Sequence, residues 1–385
     1  MKIDTYYLLE TLKKMIRINS ILPYEADLAA FIADEIRAMG LEPEWHEIAP
    51  GRPNIYAMAN LGGSDKLLTL TAHMDTVDIA LNWLTDPFDP VEKDGKLYGL
   101  GSMDMKGGLA CALTAFKTLL ETESWHGRLG RIGFAATVDE EAQGTGARAL
   151  LDTPYGKSDA MLLGEPYYGV GSDAHALPLG ITGKVLYKLT VTGRAAHAFR
   201  PERGVNAVED ASKIVAALDQ MNLGELPLFG RGNYCTLKIG GGYKEYAVVV
   251  PEQCEVIITR LTVPGESVQS AVSDLQTLID SLKLQSQVTI ETPPPFYEPY
   301  LLDTDSPIFQ AFNPVYEKVL GTPPQYAPQL SITDSNIYVA EGGIPTIVFG
   351  PRGKGAHGAG EYVDIETLEP VTQIYVETAR QFFQL

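Results

Sequence analysis

The stretch Leu67-Leu68-Thr69-Leu70-Thr71-Ala72-His73-Met74-Asp75-Thr76-Val77 decides how the chain is read. It begins as a short apolar run with β-branched members, which marks a buried strand rather than a helix. It ends in His73 and Asp75. Residues i and i+2 of a strand share a side. The imidazole and the carboxylate therefore emerge together at the strand's C-terminal end, where open α/β sheets place their ligands. A histidine oriented by a nearby carboxylate is common at metal sites. A solvated turn after a strand would carry the same pair.

Working outward, residues 4 to 18 and 27 to 39 carry apolar residues at helical spacing. Residues 42 to 48 and 54 to 60 read as strands. Beyond Asp75 the chain is irregular to about Gly95. Leu97-Tyr98-Gly99-Leu100-Gly101-Ser102-Met103-Asp104-Met105-Lys106-Gly107-Gly108 follows, ahead of an apolar helix over 109 to 120. Its glycines allow close backbone approach, and it lacks the P-loop spacing. Residues 131 to 138 form a buried strand that runs into Asp139-Glu140-Glu141. Three adjacent acids repel one another unless a cation or solvent intervenes. Residues 160 to 163 repeat the theme, a buried strand ending in Gly164-Glu165-Pro166.

From about residue 182 the pattern changes to strand, helix, strand, strand, helix, strand. That is the split βαβ order of a four-stranded sheet with two helices. The expected organisation is a catalytic domain over 1–181 and 293–385, with an inserted domain over 182–292. The run Pro293-Pro294-Pro295 marks its exit. A helix over 306 to 320, a helix to about Glu341 preceded by Asp334-Ser335-Asn336, a buried strand over 346 to 350 and a closing helix over 366 to 383 complete the first domain. His357 lies in a glycine-rich loop after that last strand.

The 385 residues suggest two domains, and 45% hydrophobic content supplies a core for each. A formal net charge of -19 argues against non-specific binding to nucleic acid or anionic membrane. The three cysteines, Cys111, Cys235 and Cys254, are widely spaced, which fits a reducing cytoplasm and gives no cysteine-type zinc spacing. Neither a signal peptide nor a membrane-spanning run is expected.

His73, Asp104, Glu140-Glu141, Glu165 and His357 each follow, or nearly follow, a strand or a glycine turn. Parallel strand ends share one edge of a sheet, so these residues are expected to meet. Histidines with carboxylates suit zinc or a similar divalent ion. Two such ions need one bridging carboxylate, and one further carboxylate must stay off the metal to move protons.

Together the motifs Thr71–Val77, Gly99–Gly108, Asp139-Glu140-Glu141, Gly164-Glu165-Pro166 and His357 resemble the co-catalytic zinc peptidase/deacylase family. That family includes acetylornithine deacetylase, succinyl-diaminopimelate desuccinylase, aminoacylase and carboxypeptidase G. The resemblance spans nearly the whole chain. It implies an α/β catalytic domain, a mixed sheet flanked by helices, and a ferredoxin-like dimerisation domain inserted into it. It implies two divalent ions, zinc first, with cobalt or manganese as alternatives. His73 and Glu165 would hold one, Glu141 and His357 the other, and Asp104 would bridge them. Glu140 would be the general base and then the acid, and Asp75 would orient His73. His197, in Thr192-Gly193-Arg194-Ala195-Ala196-His197-Ala198, resembles a histidine that reaches the partner's active site in a homodimer and steadies the oxyanion.

Arg260, near a strand end, is expected to clamp a substrate carboxylate. Val248-Val249-Val250-Pro251 departs from the family, which often has Asn before this turn. His46, His126 and His175 lie outside any motif. The expected activity is hydrolysis of an N-acyl amino acid or a short peptide bearing a free carboxylate, with deacylation put first, since the family ties Glu rather than Asp at the position of Glu165 to deacylases and carboxypeptidases more than to aminopeptidases. A carboxypeptidase or dipeptidase of the same fold, and a non-catalytic metal-binding module, remain as alternatives.

Overall fold

Strongly apolar segments with both faces buried build the sheet that carries the site. In the strand Gly62–His73 every residue from Leu67 to His73 is buried, as expected for a strand covered on both sides by helices. The computed structural model describes residues 2–166, 176–243, 245 and 248–384. The chain divides into two compact units. One comprises Met1–Leu179, Leu302–Ala327 and Thr333–Leu385, the other Gly180–Leu301 and Pro328–Ile332.

In the first unit a six-stranded sheet runs in the order Glu44–Ala49, Arg52–Asn60, Leu129–Thr137, Gly62–His73, Ala160–Leu163, Thr346–Val348. The first two pairings are antiparallel and the last three parallel. Four strands therefore end at the same edge. The helix Lys106–Glu121 packs on the Gly62–His73 strand and against the helices Thr5–Arg17 and Leu368–Phe382. It comes very close to the sheet edge, where a Cβ added to Gly108 would lie 1.8 Å from the Gly164 carbonyl oxygen. Only glycine tolerates that approach.

A second, small sheet is absent from the expectations. Its strands, in spatial order Gly353–Lys354, Tyr362–Asp364, Lys96–Tyr98 and Val91–Lys93, are two or three residues long. Such lengths carry no readable alternation. Tyr362 pairs with Tyr98 and Val363 with Leu97, which brings the loop bearing His357 alongside the turn bearing Asp104. The segment after Asp334 also departs from a regular helix. One helical turn over Asp334–Asn336 opens into a π-turn over Ile337–Glu341.

The second unit has a four-stranded antiparallel sheet in the order Asn233–Gly241, Gln253–Thr262, Gly183–Thr192, Gln287–Glu291. With the helices Ala207–Ala217 and Val268–Ser281 the chain order is β-α-β-β-α-β. Val185, Tyr187, Leu189 and Val191 alternate into its core and meet Val256, Ile258, Ile214 and Leu275. The return of the chain lies later than the proline run. Tyr300 and Leu301 still pair with Ile181 and Gly180, so contacts keep this segment with the second unit.

This unit overturns the expectation for Arg260. Along Gln253–Thr262 the even-numbered residues are buried, and Arg260 falls in step with Cys254, Val256 and Ile258. Its side chain is 0% exposed. The guanidinium pairs with Glu266, donates to Asp274 Oδ2 at 3.0 Å and to the Ala271 carbonyl at 3.3 Å. Glu266 in turn accepts from the amides of Gly224 and Val263. Arg260 is thus a buried brace for the start of the Val268–Ser281 helix, with both terminal nitrogens already bonded within the unit.

Two outcomes follow. Gly108→Ala should lower unfolding stability by about 3 kcal/mol, the upper end of overpacking costs, read from urea unfolding. Arg260→Ala should cost about 3 kcal/mol by leaving buried acids unpaired, while KM of the folded fraction stays at the wild-type value. A raised KM with unchanged stability would restore the clamp.

Candidate metal centre

The register of the parallel strands assembles the site. His73 closes its strand and lies beside Thr137 of the neighbouring strand, two residues ahead of Asp139. On the other side Thr71 lies beside Leu163, two residues ahead of Glu165. Leu163 also pairs with Val348, from which the chain runs on to His357. Asp104 arrives from the turn before the Lys106–Glu121 helix, and the Asp104–Met105 peptide is cis.

Five of the expected residues meet around Asp104. Asp104 Oδ1 lies 3.4 Å from His73 Nε2, and its Oδ2 lies 3.3 Å from His357 Nε2. His73 Nε2 is also 3.4 Å from Glu165 Oε1 and 3.9 Å from Glu140 Oε2. His357 Nε2 is 3.1 Å from Glu141 Oε1. Ligand atoms of His73, Asp104 and Glu141, and again of His73, Glu140 and Glu165, lie within 4.8 Å of one another. His73, Asp75, Asp104 and Glu165 are all buried, whereas the His357 side chain is 55% exposed.

The chemistry of this set fits divalent cations. His73 Nδ1 lies 2.9 Å from the Asp75 carbonyl oxygen. A carbonyl only accepts, so this contact assigns the proton to Nδ1. Nε2 is then left facing carboxylate oxygens, buried and without a hydrogen-bond partner among the described residues. Lone pair against carboxylate is repulsive unless a proton or a cation lies between them. Among the described residues no lysine or arginine pairs with Glu140, Glu141 or Glu165. Burial, then the charge of Glu165, pushes the Glu140 carboxyl well up, with His73 opposing. Burial pushes Glu165 up to about 8, against the pull of His73. Burial works against charge on His73, but Glu165 and Asp104 prevail and raise it. Contacts with Asp104 and Glu141 push His357 up to about 10. Acids raised and imidazoles raised together describe a site short of positive charge.

Asp75 has a wider role than orienting one ring. Its carboxylate is 3.6 Å from His73 Nδ1, and it accepts the amides of Glu140 at 3.3 Å and Glu141 at 3.0 Å. Burial raises Asp75 to about 6, with His73 and the Glu141 amide opposing.

Residues that the motifs did not reveal hold these segments. Asp139 has φ 73°, a strained value for a non-glycine residue. It accepts from Thr145 Oγ1 at 2.6 Å and from Arg52 Nη2 at 3.1 Å. Arg52 also donates from Nε to both oxygens of the fully buried Glu25. Glu361, 1% exposed, accepts the amides of Gly101, Met103 and Asp104 at 2.7, 2.8 and 2.9 Å. The available signal for Glu361 was an acid four residues after His357 in a loop otherwise built of small residues. Glu25 and Arg52 carried none.

His197 belongs to the second unit and is exposed. Its Nδ1 accepts the Phe199 amide at 3.2 Å, which assigns the proton of the neutral ring to Nε2. Arg260 is the buried brace described above. His126 is exposed, with Nε2 2.9 Å from the Leu120 carbonyl oxygen. His46 packs edge-on to Tyr56, and His175 lies outside the described residues.

Comparison with known proteins gives the family and the fold. Acetylornithine deacetylase of Vibrio vulnificus is 28% identical over 364 residues, covering 91% of this chain and 90% of that protein. The crystal structure of aminopeptidase PepT from Bacillus cereus superposes with a TM-score of 0.79 at 20% identity, covering 99% of each chain. That of the Bacillus subtilis YXEP protein, described as a dinuclear metal-binding peptidase, does so at 0.74 and 15%, covering 98% of this chain and 97% of that one. The sequence profile of peptidase family M20/M25/M40 matches residues 69–381. The chain therefore belongs to peptidase family M20/M25/M40 and is a metal-dependent hydrolase of amide bonds.

Proposed function

We propose that this protein hydrolyses the amide bond of an N-acyl amino acid, with two divalent ions, zinc first, in the centre around Asp104. The carrying observation is the placement of Asp104, whose two oxygens face two imidazoles at 3.4 and 3.3 Å. His73 and Glu165 would hold one ion and Glu141 and His357 the other, with Asp104 shared between them. Bound there, the ions supply an acidified water and a polarised carbonyl.

Glu140 is the proton carrier. Its carboxylate takes the proton of the attacking water and returns it to the departing nitrogen. Asp75 fixes the backbone from which Glu140 projects. His197 of a partner subunit would donate its Nε2 proton to the oxyanion, and the Phe199 amide on Nδ1 favours that tautomer. A homodimer is supported by the edge strand Asn233–Gly241, which exposes Leu237 and Ile239.

The deacylase reading draws on the relatives named acetylornithine deacetylase and on Glu165. The substrate is a small molecule with a free carboxylate, met in the cytoplasm. The acidic chain offers nothing for nucleic acid, and no helix among the described residues is long and apolar enough to cross a membrane. The internal use of Arg260 takes away the expected clamp for the substrate carboxylate, and Val in place of the family's frequent Asn before Pro251 puts one further expected substrate contact in doubt. A dipeptidase or carboxypeptidase of the same fold stands as the second reading, since its substrate also presents an amide bond near a free carboxylate and the centre around Asp104 would serve either.

A panel of acetyl-amino acids, their amides and dipeptides, assayed on zinc-loaded protein, separates these readings. Preferential turnover of acetyl-amino acids is expected, and turnover of dipeptides alone would reverse the assignment. Glu140→Gln should retain zinc and lose activity by about 10²- to 10⁴-fold. Full activity in that variant would remove Glu140 as the base. Mixing His197→Ala and Glu140→Gln chains should restore part of the activity through hybrid dimers.

A further inference from the structure

One buried carboxylate outside the proposed ligand set touches both halves of the centre's scaffold. Glu361 lies four residues after His357, and its side chain reaches the turn that carries Asp104. Oε2 accepts the Gly101 amide, and Oε1 accepts the amides of Met103 and Asp104. Its own carbonyl accepts the Gly99 amide at 3.1 Å. Residue 361 thus receives four amides of the Gly99–Asp104 turn.

The two segments differ in their other anchors. The Asp104 turn continues into the buried start of the Lys106–Glu121 helix, where Lys106 Nζ donates to the Ile18 carbonyl at 2.9 Å. The loop that carries His357 is largely solvent-facing, and His357 holds φ 60°. The pairing of Tyr362–Asp364 with Lys96–Tyr98 and the Gly99 amide on the Glu361 carbonyl join that loop to the start of the turn, while the Glu361 carboxylate carries the connection on to Met103 and Asp104. That carboxylate thus grips the backbone of Asp104, whose Oδ2 lies 3.3 Å from His357 Nε2.

We propose that Glu361 is a positioning residue for the metal centre, setting Asp104 against His357 and so the affinity of the ion on the Glu141–His357 side. The proposal rests on the ligand assignment given under Proposed function. A glutamine at 361 keeps the size but not the pattern. Its amide oxygen can serve Met103 and Asp104, while its NH₂ would face the Gly101 N–H, donor against donor. Aspartate keeps the charge and draws it back by one methylene.

The test is calorimetric titration of zinc into the metal-free full-length protein, with metal content measured after dialysis. Wild type should take up two equivalents. Glu361→Gln should bind one equivalent as wild type does and the other about 10- to 100-fold more weakly, the range for loss of a partner behind a ligand. Glu361→Asp should fall between them. In a His357→Ala background, Glu361→Gln should leave the affinity of the remaining ion unchanged, which a general loosening of the fold would not do.

Two equivalents at wild-type affinity in both Glu361 variants would overturn the proposal. So would equal weakening of both equivalents. Wild type that binds no zinc would instead overturn the ligand assignment, a separate and recognisable failure.

Discussion

A carboxylate held between two imidazoles, with further buried acids around it, is the constraint from which the rest of this molecule follows. Asp104, Glu140, Glu141 and Glu165 share a small volume with His73 and His357. Bringing that many acids out of water is unfavourable unless positive charge joins them. The fold tolerates the arrangement because four parallel strands deliver their ends to one edge, and because the side chains are anchored by backbone rather than by one another. Asp75 grips the amides of Glu140 and Glu141, and Glu361 grips those around Asp104. These amide contacts need no lysine or arginine, so the site keeps its appetite for a cation.

The same logic accounts for the strained positions. Asp139 and His357 both lie at positive φ; Asp139 adjoins the proposed base, and His357 is itself a proposed ligand. Asp139 is stabilised from behind by Thr145 and by the Arg52–Glu25 pair. Strain of this kind persists only where the surroundings over-determine it. Here the surroundings are a buried ion pair contributed by segments more than eighty residues away in sequence.

What the sequence disclosed, and what it hid, follows from the range of the interactions. The buried strands, the Lys106–Glu121 helix and the β-α-β-β-α-β order of the second unit were legible because each carries its own periodicity. The convergence of His73, Asp104, Glu141, Glu165 and His357 was legible because each follows a strand or glycine turn. Their individual roles still rest on resemblance and on the proposed chemistry. The small sheet joining Lys96–Tyr98 to Tyr362–Asp364 was invisible, since strands of three residues have no pattern to read. With it, the function of Glu361 was hidden too. The Arg52–Glu25 pair was hidden for the same reason, as its meaning lies wholly in a distant partner.

Arg260 shows a signal that was present and misread. Cys254, Val256 and Ile258 already set the parity of their strand, and an even-numbered arginine belongs to the same face. That parity aims it at the helix beneath the sheet, where Glu266 and Asp274 receive it. The odd-numbered face of the strand ends instead in Thr259 and Leu261, neither of which brings a positive charge to a carboxylate. If the substrate carries a free carboxylate, its partner must come from elsewhere in the chain. A substrate lacking that charge would need no such partner, which is why the acid and amide forms of one acyl-amino acid are the informative pair.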